Sequence, residues 1–213
     1  MNPQPARQTG AEKPRLVLDW DGTATVVDTL WLVLGEFGDE DVFRRAGEQL
    51  FAGEIGYREL METEFSTVQG ATLDDVNAWL AENARIRPGF HELVRRHDPL
   101  VLSSGFEELI RPLLAREGVE VELVANRIDP QPDGWRVIWN RRQPCEVCGD
   151  WCKRDGLPAA PFVYVGDGYS DRCPSLSAER IFARAGLAEH LEDEGVPYEP
   201  FDDLNDVLRA LEA

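Results

Sequence analysis

Three short apolar runs along the chain each stop at a cluster of small or acidic residues. They cover residues 15–19, 99–103 and 161–166, and helix-like patterns follow at residues 107–117 and 170–180. A continuous apolar run of this length is typical of a strand buried on both faces of a parallel sheet. Repetition of strand, polar cluster and helix therefore predicts an α/β fold with a Rossmann-like, doubly wound parallel sheet.

The stretch between the first two predicted strands has no strand pattern. Four amphipathic helices are predicted there instead, at residues 30–37, 41–51, 57–68 and 73–83. An all-helical insertion at this point predicts a small cap domain, residues 29–87, over a core domain of residues 14–28 and 88–213. Four aromatic residues at helical spacing are expected to form the core of the cap: Trp31, Phe37, Phe65 and Trp79.

Three further segments complete the predicted organisation. Residues 119–125 and 135–139 flank the sequence Asp-Pro-Gln-Pro-Asp-Gly and predict a small β-hairpin. Residues 204–211 predict a final amphipathic helix. Residues 1–13 are polar and contain proline, so we expect a disordered lead-in and not the apolar core of a signal peptide.

Charge and composition narrow the possible partners. The 213 residues include 22 Lys and Arg against 40 Asp and Glu, which gives a formal net charge of −18. Nucleic acids and anionic membranes attract clusters of cationic side chains, so neither is an expected partner. No apolar run approaches the roughly 20 residues of a membrane-spanning helix. We expect a cytoplasmic monomer or homodimer whose four cysteines are reduced thiols or metal ligands.

Polar elements near the ends of the predicted strands carry the candidate chemistry. They are Asp19 and Asp21 in Asp-Trp-Asp-Gly-Thr, Ser103-Ser104-Gly105, Lys153, and Asp167 and Asp171 in Gly-Asp-Gly-Tyr-Ser-Asp. Each element alone is also typical of a solvated turn, a helix cap or a surface lysine. Ligands of parallel sheets bind beyond the carboxyl ends of the strands, so these elements are expected to converge on one site.

Taken in this order, the four elements resemble the motifs of the haloacid dehalogenase (HAD) superfamily. The resemblance extends over residues 15–211 and is strongest to the branch of the phosphoserine phosphatases, in which a helical C1 cap follows the first motif. Within that branch, the hairpin, the Cys-rich segment before Lys153 and the Gly-Asp-Gly-Tyr-Ser-Asp motif are most similar to the methionine-salvage phosphatases. Those enzymes act on 2-hydroxy-3-keto-5-methylthiopentenyl-1-phosphate.

The resemblance implies a phosphatase that works through a phosphorylated aspartate. Asp19 would attack phosphorus, and Asp21 would protonate the leaving oxygen and then deprotonate the hydrolytic water. Ser103 would donate a hydrogen bond to a phosphoryl oxygen, and Lys153 would neutralise charge on the nucleophile and the phosphoryl group. Dehalogenases and phosphonate-cleaving members lack the second acid, so Asp21 favours hydrolysis of a phosphate ester.

The resemblance also implies a magnesium site and a substrate-binding region. Mg²⁺ would be held by the side chains of Asp19 and Asp167 and the backbone carbonyl of Asp21, with Asp171 as an indirect or alternate ligand. The substrate, a small phosphorylated metabolite, would contact Ser103, Ser104, Gly105, Lys153 and Asp28.

The choice of substrate stays open at this point. Asp28 lies nine residues after Asp19, an offset compatible with the acid that binds the substrate amine in phosphoserine phosphatases. The caps of those enzymes also carry an arginine for the substrate carboxylate, and here Glu62 and Glu64 occupy the later positions of the third predicted helix. We therefore expect an enol-type sugar phosphate first, with phosphoserine, phosphocholine and phosphoethanolamine as alternatives.

The cysteines suggest a second metal. Cys145, Cys148 and Cys152 have a spacing tight enough for three zinc ligands, and Cys173 could supply a fourth. Unligated thiols are the alternative. Such a structural Zn²⁺ would stabilise the loop that carries Lys153 and take no part in the reaction. A zinc-stabilised binding protein that keeps the fold without catalysis is the non-enzyme alternative, but it has no need for the complete set of catalytic residue types.

Overall fold

A mostly parallel sheet forms the centre of the protein. The computed structural model describes residues 14–159 and 161–213, so the predicted lead-in at residues 1–13 lies outside the described residues. The strands in these ranges are β1 (Arg15–Leu18), β2 (Leu100–Phe106), β3 (Glu122–Asp129), β4 (Arg136–Ile138), β5 (Phe162–Gly166), β6 (Arg180–Ala183) and β7 (Glu199–Pro200). Their order is β4-β3-β2-β1-β5-β6-β7, and all neighbours are parallel except β3 and β4. The predicted α/β fold with a doubly wound parallel sheet is confirmed.

The helices cluster in two regions of the chain. They are α1 (Thr29–Phe37), α2 (Glu40–Phe51), α3 (Tyr57–Phe65), α4 (Leu73–Asn83), α5 (Phe90–His97), α6 (Glu107–Arg116), α7 (Arg172–Ser175), α8 (Ala185–Asp193) and α9 (Leu204–Leu211). The first four match the predicted helices, although α3 ends three residues early. The remaining five include α5 and α8, which the sequence analysis does not predict.

The prediction of one helix over residues 170–180 is wrong. Only a short 3₁₀ helix (Tyr169–Asp171) and α7 form there, and the backbone N–H groups of Ser177 and Ala178 then bond back to the carbonyls of Pro174 and Ser175 in a turn. The next residues form β6, which pairs in parallel with β5. Its apolar run of three residues is as long as that of β1 but is not followed by an acidic motif, so the sequence pattern does not mark it as a strand.

The central strands bury both of their faces. Leu16, Leu18 and Val165 belong to the main hydrophobic cluster, while Val17 and Tyr164 pack in a second cluster on the opposite face. Because successive side chains of a strand alternate between faces, such strands are apolar at almost every position. This is why the unbroken apolar runs predicted them.

The predicted hairpin is confirmed, but it extends the main sheet. β3 pairs with β4 antiparallel, with Ile128 opposite Val137, and it also pairs in parallel with β2. Buried side chains on the first half of β3, such as Leu123, explain why this strand belongs to the core sheet.

Helices α1 to α4 lie between β1 and β2 in the chain. The segments that enter and leave this helical region run side by side. The Val26 N–H donates to the Arg85 carbonyl and the Arg87 N–H donates to the Ala24 carbonyl, both at 2.8 Å. Phe65 of α3 packs edge-to-face on Phe106 with ring centroids 4.7 Å apart, so one hydrophobic cluster joins these helices to the sheet. The division into a cap and a core domain stays a prediction.

No helix within residues 14–159 and 161–213 combines the length and the apolar character that a membrane crossing requires.

Candidate active site

The predicted catalytic side chains meet at the carboxyl ends of β1, β2 and β5. Asp19 directly follows β1, Asp167 directly follows β5, and Lys153 reaches them from the short 3₁₀ helix Lys153–Gly156. Lys153 Nζ contacts Asp19 Oδ1 and lies 3.2 Å from the carbonyl oxygen of Leu102. The parallel sheet thus brings together acids and a lysine that are far apart in the sequence.

The loop after β1 allows a close approach of the Asp167 carboxylate. Gly22 has a φ of +74°, and a Cβ at this position would lie 2.3 Å from Asp167 Oδ2. Glycine suits both this backbone conformation and this close approach. Thr23 Oγ1 donates a hydrogen bond to Asp167 Oδ1 at 2.7 Å, so the same loop also orients the carboxylate.

Asp171 is fully buried, and both of its carboxylate oxygens are engaged. Oδ1 lies 2.6 Å from Lys153 Nζ and accepts a hydrogen bond from Tyr164 Oη at 2.7 Å. Oδ2 accepts from the backbone N–H groups of Asp167 and Gly168 at 3.0 and 2.9 Å. Of the two metal roles implied by the resemblance, these contacts favour the indirect one.

Three carboxylates and one ammonium group share the buried centre of the site. Asp19, Asp167 and Asp171 each offer an oxygen within 4.8 Å of the others. Burial and the charge of Asp171 raise the pKa of Asp19 well above its usual value and the pKa of Asp167 to about 6. Burial alone would lower the pKa of Lys153, but Asp171 and Asp19 outweigh it and raise that pKa. Carboxylates outnumber the single ammonium group here, and Mg²⁺ prefers oxygen ligands of this kind. These residues therefore fit the predicted magnesium site.

Asp21 lies beside this centre. Its Oδ1 accepts hydrogen bonds from the backbone N–H of Thr29 at 3.0 Å and from the Thr29 hydroxyl, and Ser103 Oγ lies 3.4 Å from its Oδ2. Burial raises the pKa of Asp21, and the hydrogen bonds from Thr29 oppose this rise without cancelling it. A raised pKa is the direction that a carboxylic general acid needs.

The segment Ser103-Ser104-Gly105 lies inside β2, and the prediction that the strand ends at residue 103 is wrong. The strand continues because all of these residues are buried against neighbouring elements. The Gly105 N–H donates to Ser103 Oγ at 2.8 Å, and a Cβ at Gly105 would lie 2.8 Å from Asp21 Oδ2. The Ser103 hydroxyl and Gly105 therefore face Asp21.

A cavity of about 980 Å³ extends from these acids to α1, α2 and α3. Asp28 lines it and also caps α1, because its Oδ1 accepts from the backbone N–H groups of Leu30 and Trp31 at 2.8 and 3.1 Å. Trp31 lines the cavity and is 59% exposed, so the prediction that it belongs to the cap core is wrong. The buried face of α1 is formed instead by Leu30, Val33 and Leu34.

Glu64 faces the same cavity from α3. It is only 4% exposed, and its carboxyl group has no hydrogen-bond partner in the part of the chain that the structure describes. Burial raises the pKa of Glu64 to about 8, so at neutral pH the group is mostly a protonated hydrogen-bond donor. A signal for this burial exists in the sequence, because Glu64 lies on the helical stripe of Leu60, Met61 and Phe65.

Replacing Glu64 by glutamine should remove part of the loss of stability that occurs as the pH rises from about 4.5 to about 8. The pKa is about 4.5 in the unfolded chain and about 8 in the folded protein, so the folded state retains a proton that the unfolded state releases. The free energy of unfolding of the wild type should therefore fall between these pH values, on the order of 4 kcal/mol from this group. Urea titrations of wild type and Glu64→Gln at a series of pH values measure the difference.

The exposed Glu59 on the same helix supplies the control, since Glu59→Gln should follow the wild-type pH dependence. Equal slopes for Glu64→Gln and wild type would contradict the raised pKa.

Arg87 is a site residue that the sequence analysis does not predict. Its guanidinium is only 6% exposed and donates to backbone carbonyls of the loop after β1, at Gly22 (2.6 Å), Thr23 (2.8 Å), Thr25 (3.0 Å) and Val26 (3.2 Å). It therefore holds the backbone that carries Asp19 and Asp21. A single arginine has no distinguishing pattern in a sequence, so this role becomes visible only in the fold.

The geometry agrees with a comparison against known families. The sequence model of the family described as haloacid dehalogenase-like hydrolase matches residues 16–173, a span that includes all of the motifs above. The chain belongs to this HAD family.

Curated relatives of this HAD hydrolase share one name. A protein of Lysinibacillus sphaericus is 25% identical over 94% of both chains, and a protein of Microcystis aeruginosa is 26% identical over 91% of this chain and 95% of its own. Each is named 2-hydroxy-3-keto-5-methylthiopentenyl-1-phosphate phosphatase. The family and these names together support the assignment of the chain as a phosphatase.

Two of the solved structures that share this fold are named phosphoserine phosphatases. A phospho-aspartyl intermediate analogue of phosphoserine phosphatase superposes with a TM-score of 0.68 at 18% identity, over 93% of this chain and 99% of the other. The enzyme of T. onnurineus gives a TM-score of 0.66 at 18% identity, over 97% and 98%. At these identities the similarity concerns the fold of the phosphatase.

The four cysteines of this phosphatase also come together. Their Sγ atoms lie within 4.8 Å of one another, and those of Cys145 and Cys173 are 3.9 Å apart. All four thiols are free, with Cys148 exposed and the others buried. The structure thus groups the residues predicted as possible zinc ligands, at a position that does not line the cavity.

Proposed function

We propose that this HAD phosphatase hydrolyses a phosphomonoester through an aspartyl-phosphate formed on Asp19. The observation that carries this proposal is the pairing of two different acids. Asp19 contacts the Lys153 ammonium group, which favours its ionised form. Asp21, two residues later, has no hydrogen bond to Lys153 and accepts hydrogen bonds from Thr29 and Ser103 instead. One acid is therefore suited to attack and the other to donate a proton.

Each residue then has a defined task in two successive displacements. The Asp19 carboxylate attacks phosphorus, the bond from phosphorus to the leaving oxygen breaks, and Asp21 gives its proton to that oxygen. Water then loses a proton to Asp21 and attacks the same phosphorus, which breaks the bond to Asp19 and releases phosphate. The Ser103 hydroxyl donates a hydrogen bond to a phosphoryl oxygen throughout.

Two metals belong to the proposal, with separate roles. Asp19, Asp167 and the backbone carbonyl of Asp21 would hold Mg²⁺, which neutralises the negative charge that accumulates between carboxylate and phosphoryl group. Zinc has no task in this chemistry, and Zn²⁺ at the cysteines is proposed only as a structural ion.

The cavity lining favours a substrate that has an apolar part and a carbonyl or enol oxygen. Three arginines line it, and each contacts another group of the chain, although the buried Nε atoms of Arg172 and Arg184 have no hydrogen-bond partner among the described residues. Arg44 pairs with Glu48, Arg172 lies 4.8 Å from the Tyr169 ring centroid, and Arg184 donates to the Gly22 carbonyl. The protonated Glu64 instead offers a hydrogen bond to a carbonyl or enol oxygen, beside the apolar Leu30, Trp31 and Met61. We therefore propose 2-hydroxy-3-keto-5-methylthiopentenyl-1-phosphate, as in the names of the curated relatives, as the substrate.

Phosphoserine is the second candidate, because Asp28 lines the cavity and could contact an amine. Hydrolysis of both compounds, and of phosphocholine and phosphoethanolamine, should be compared in Mg²⁺ with an EDTA-treated sample as control. We expect kcat/KM for the enol phosphate to exceed that for phosphoserine by at least ~10-fold. A preference for phosphoserine would refute the substrate proposal, and full activity after removal of divalent metal would refute the magnesium site.

A further inference from the structure

Cysteines of the four-residue cluster lie next to both partners of the buried ion pair between Lys153 and Asp171. Cys152 directly precedes Lys153, and Cys173 follows Asp171 by two residues. Lys153 Nζ and Asp171 Oδ1 are 2.6 Å apart. Any group that joins Cys152 to Cys173 therefore also holds the two halves of this ion pair together.

We propose that Cys145, Cys148, Cys152 and Cys173 bind one structural Zn²⁺ that positions Lys153 in the active site. A tetrahedral site with Zn–S bonds of about 2.3 Å has sulfur atoms about 3.8 Å apart. The Cys145–Cys173 distance of 3.9 Å agrees with such an edge, and all four Sγ atoms lie within 4.8 Å. Disulfide sulfurs would be about 2 Å apart, so this arrangement fits a metal better than a crosslink.

The backbone around Cys145 is folded to support a thiolate. The N–H of Val147 donates to Cys145 Sγ at 3.4 Å, and the chain closes on itself through Cys145 N to the Asp150 carbonyl and Gly149 N to the Cys145 carbonyl, both at 2.9 Å. Gly149 has a φ of +73°, which favours glycine at the tip of this turn. N–H groups that point at sulfur stabilise its negative charge.

A positive charge accompanies the cluster. Arg154 Nη1 donates to the Cys173 carbonyl at 2.9 Å and lies 3.8 Å from Cys173 Sγ. Four thiolates around Zn²⁺ carry a net charge of about −2, which a nearby guanidinium partly offsets.

The segment that carries the first three cysteines has no regular secondary structure. Residues 140–152 contain no helix or strand, and side-chain contacts hold them in place, such as those of Trp151 with the Trp139 ring and with Arg58. The Asp150 carboxylate of the same segment accepts a hydrogen bond of 2.9 Å from the backbone N–H of Tyr57, at the start of α3. Zinc would therefore stabilise a loop that contacts both the catalytic centre and a wall of the cavity.

Metal analysis of purified protein tests the site without reference to activity. We expect about one zinc per chain in the wild type and less than ~0.1 in Cys148→Ser, because the exposed Cys148 thiol can be removed with little loss of packing. Val147→Ser, an exposed change in the same turn that keeps all ligands, should retain zinc. Cys148→His should restore it, since imidazole is also a zinc ligand. Cobalt substitution should give the absorption bands of a tetrahedral thiolate site.

A reduced wild-type protein that binds neither zinc nor cobalt would refute the site, and so would unchanged zinc in Cys148→Ser. The positioning of Lys153 rests on the proposed function and has its own test. At a temperature at which all variants stay folded by circular dichroism, we expect kcat of Cys148→Ser to fall ~10- to 100-fold with a smaller change in KM, and Cys148→His to recover. Loss of zinc with unchanged kcat would refute positioning. An inactive wild type that holds zinc would refute the proposed function and leave the zinc site standing.

Discussion

Asp19→Asn should lower phosphatase activity by at least about 10⁴-fold while the protein stays folded. The amide has nearly the same shape as the carboxylate but is a poor nucleophile, so no aspartyl-phosphate can form at this position. The change also removes one of three crowded acids, whose burial and mutual repulsion raise the pKa of Asp19. We therefore expect the free energy of unfolding to stay equal or to rise. Hydrolysis of para-nitrophenyl phosphate in Mg²⁺ and urea unfolding measure the two effects.

The intermediate can be located directly in the wild type. Acid-quenched turnover mixtures, digested and analysed by mass spectrometry, should carry one phosphoryl group on the peptide that contains Asp19. Asp193→Asn serves as the control, because Asp193 is exposed on α8 and does not line the cavity. Activity of Asp19→Asn near that of the wild type, or a phosphoryl group on another residue, would contradict the proposed mechanism.

The strands and motifs could be predicted because their signals are local. A strand buried on both faces is apolar throughout, and β1 and β5 therefore stand out as unbroken runs that end in acids. β6 has the length and burial pattern of β1 but is not followed by an acidic motif, and β7 is only two residues long. Their positions follow from pairing with β5 and β6, which depends on contacts distant in sequence.

The side-chain roles that escaped prediction belong to buried charges. The resemblance allows Asp171 either an indirect or an alternate metal role, but it does not show that Tyr164, Lys153 and two backbone N–H groups occupy both of its oxygens. In the sequence, nothing distinguishes Glu64 and Arg87 from ordinary charged residues. Their burial results from the packing of α3 and of the loop after β1. A charged residue is usually exposed, so only the fold reveals these exceptions.

Arg87→Ala should destabilise the protein by at least about 3 kcal/mol. The substitution leaves the carbonyl oxygens of Thr23, Thr25 and Val26 without their charged donor, while the Gly22 carbonyl keeps Arg184, and a buried unsatisfied carbonyl costs about 1–3 kcal/mol. Arg87→Lys should recover only part of this loss, because an ammonium group lacks the planar fork that reaches several carbonyls at once. The free energy of unfolding from urea titration measures both variants.

Arg85→Ala is the matched control for this prediction. Arg85 is exposed two residues earlier, and its loss should change the free energy of unfolding by no more than about 0.5 kcal/mol. Because Arg87 holds the loop that carries Asp19 and Asp21, kcat of Arg87→Ala should also fall under conditions in which the variant remains folded, and Arg87→Lys should lie between the two. Equal stability of Arg87→Ala and Arg85→Ala would show that the loop holds its shape without the guanidinium. A destabilised Arg87→Ala with wild-type kcat would limit Arg87 to a role in folding, since the loop would then present both acids correctly without it.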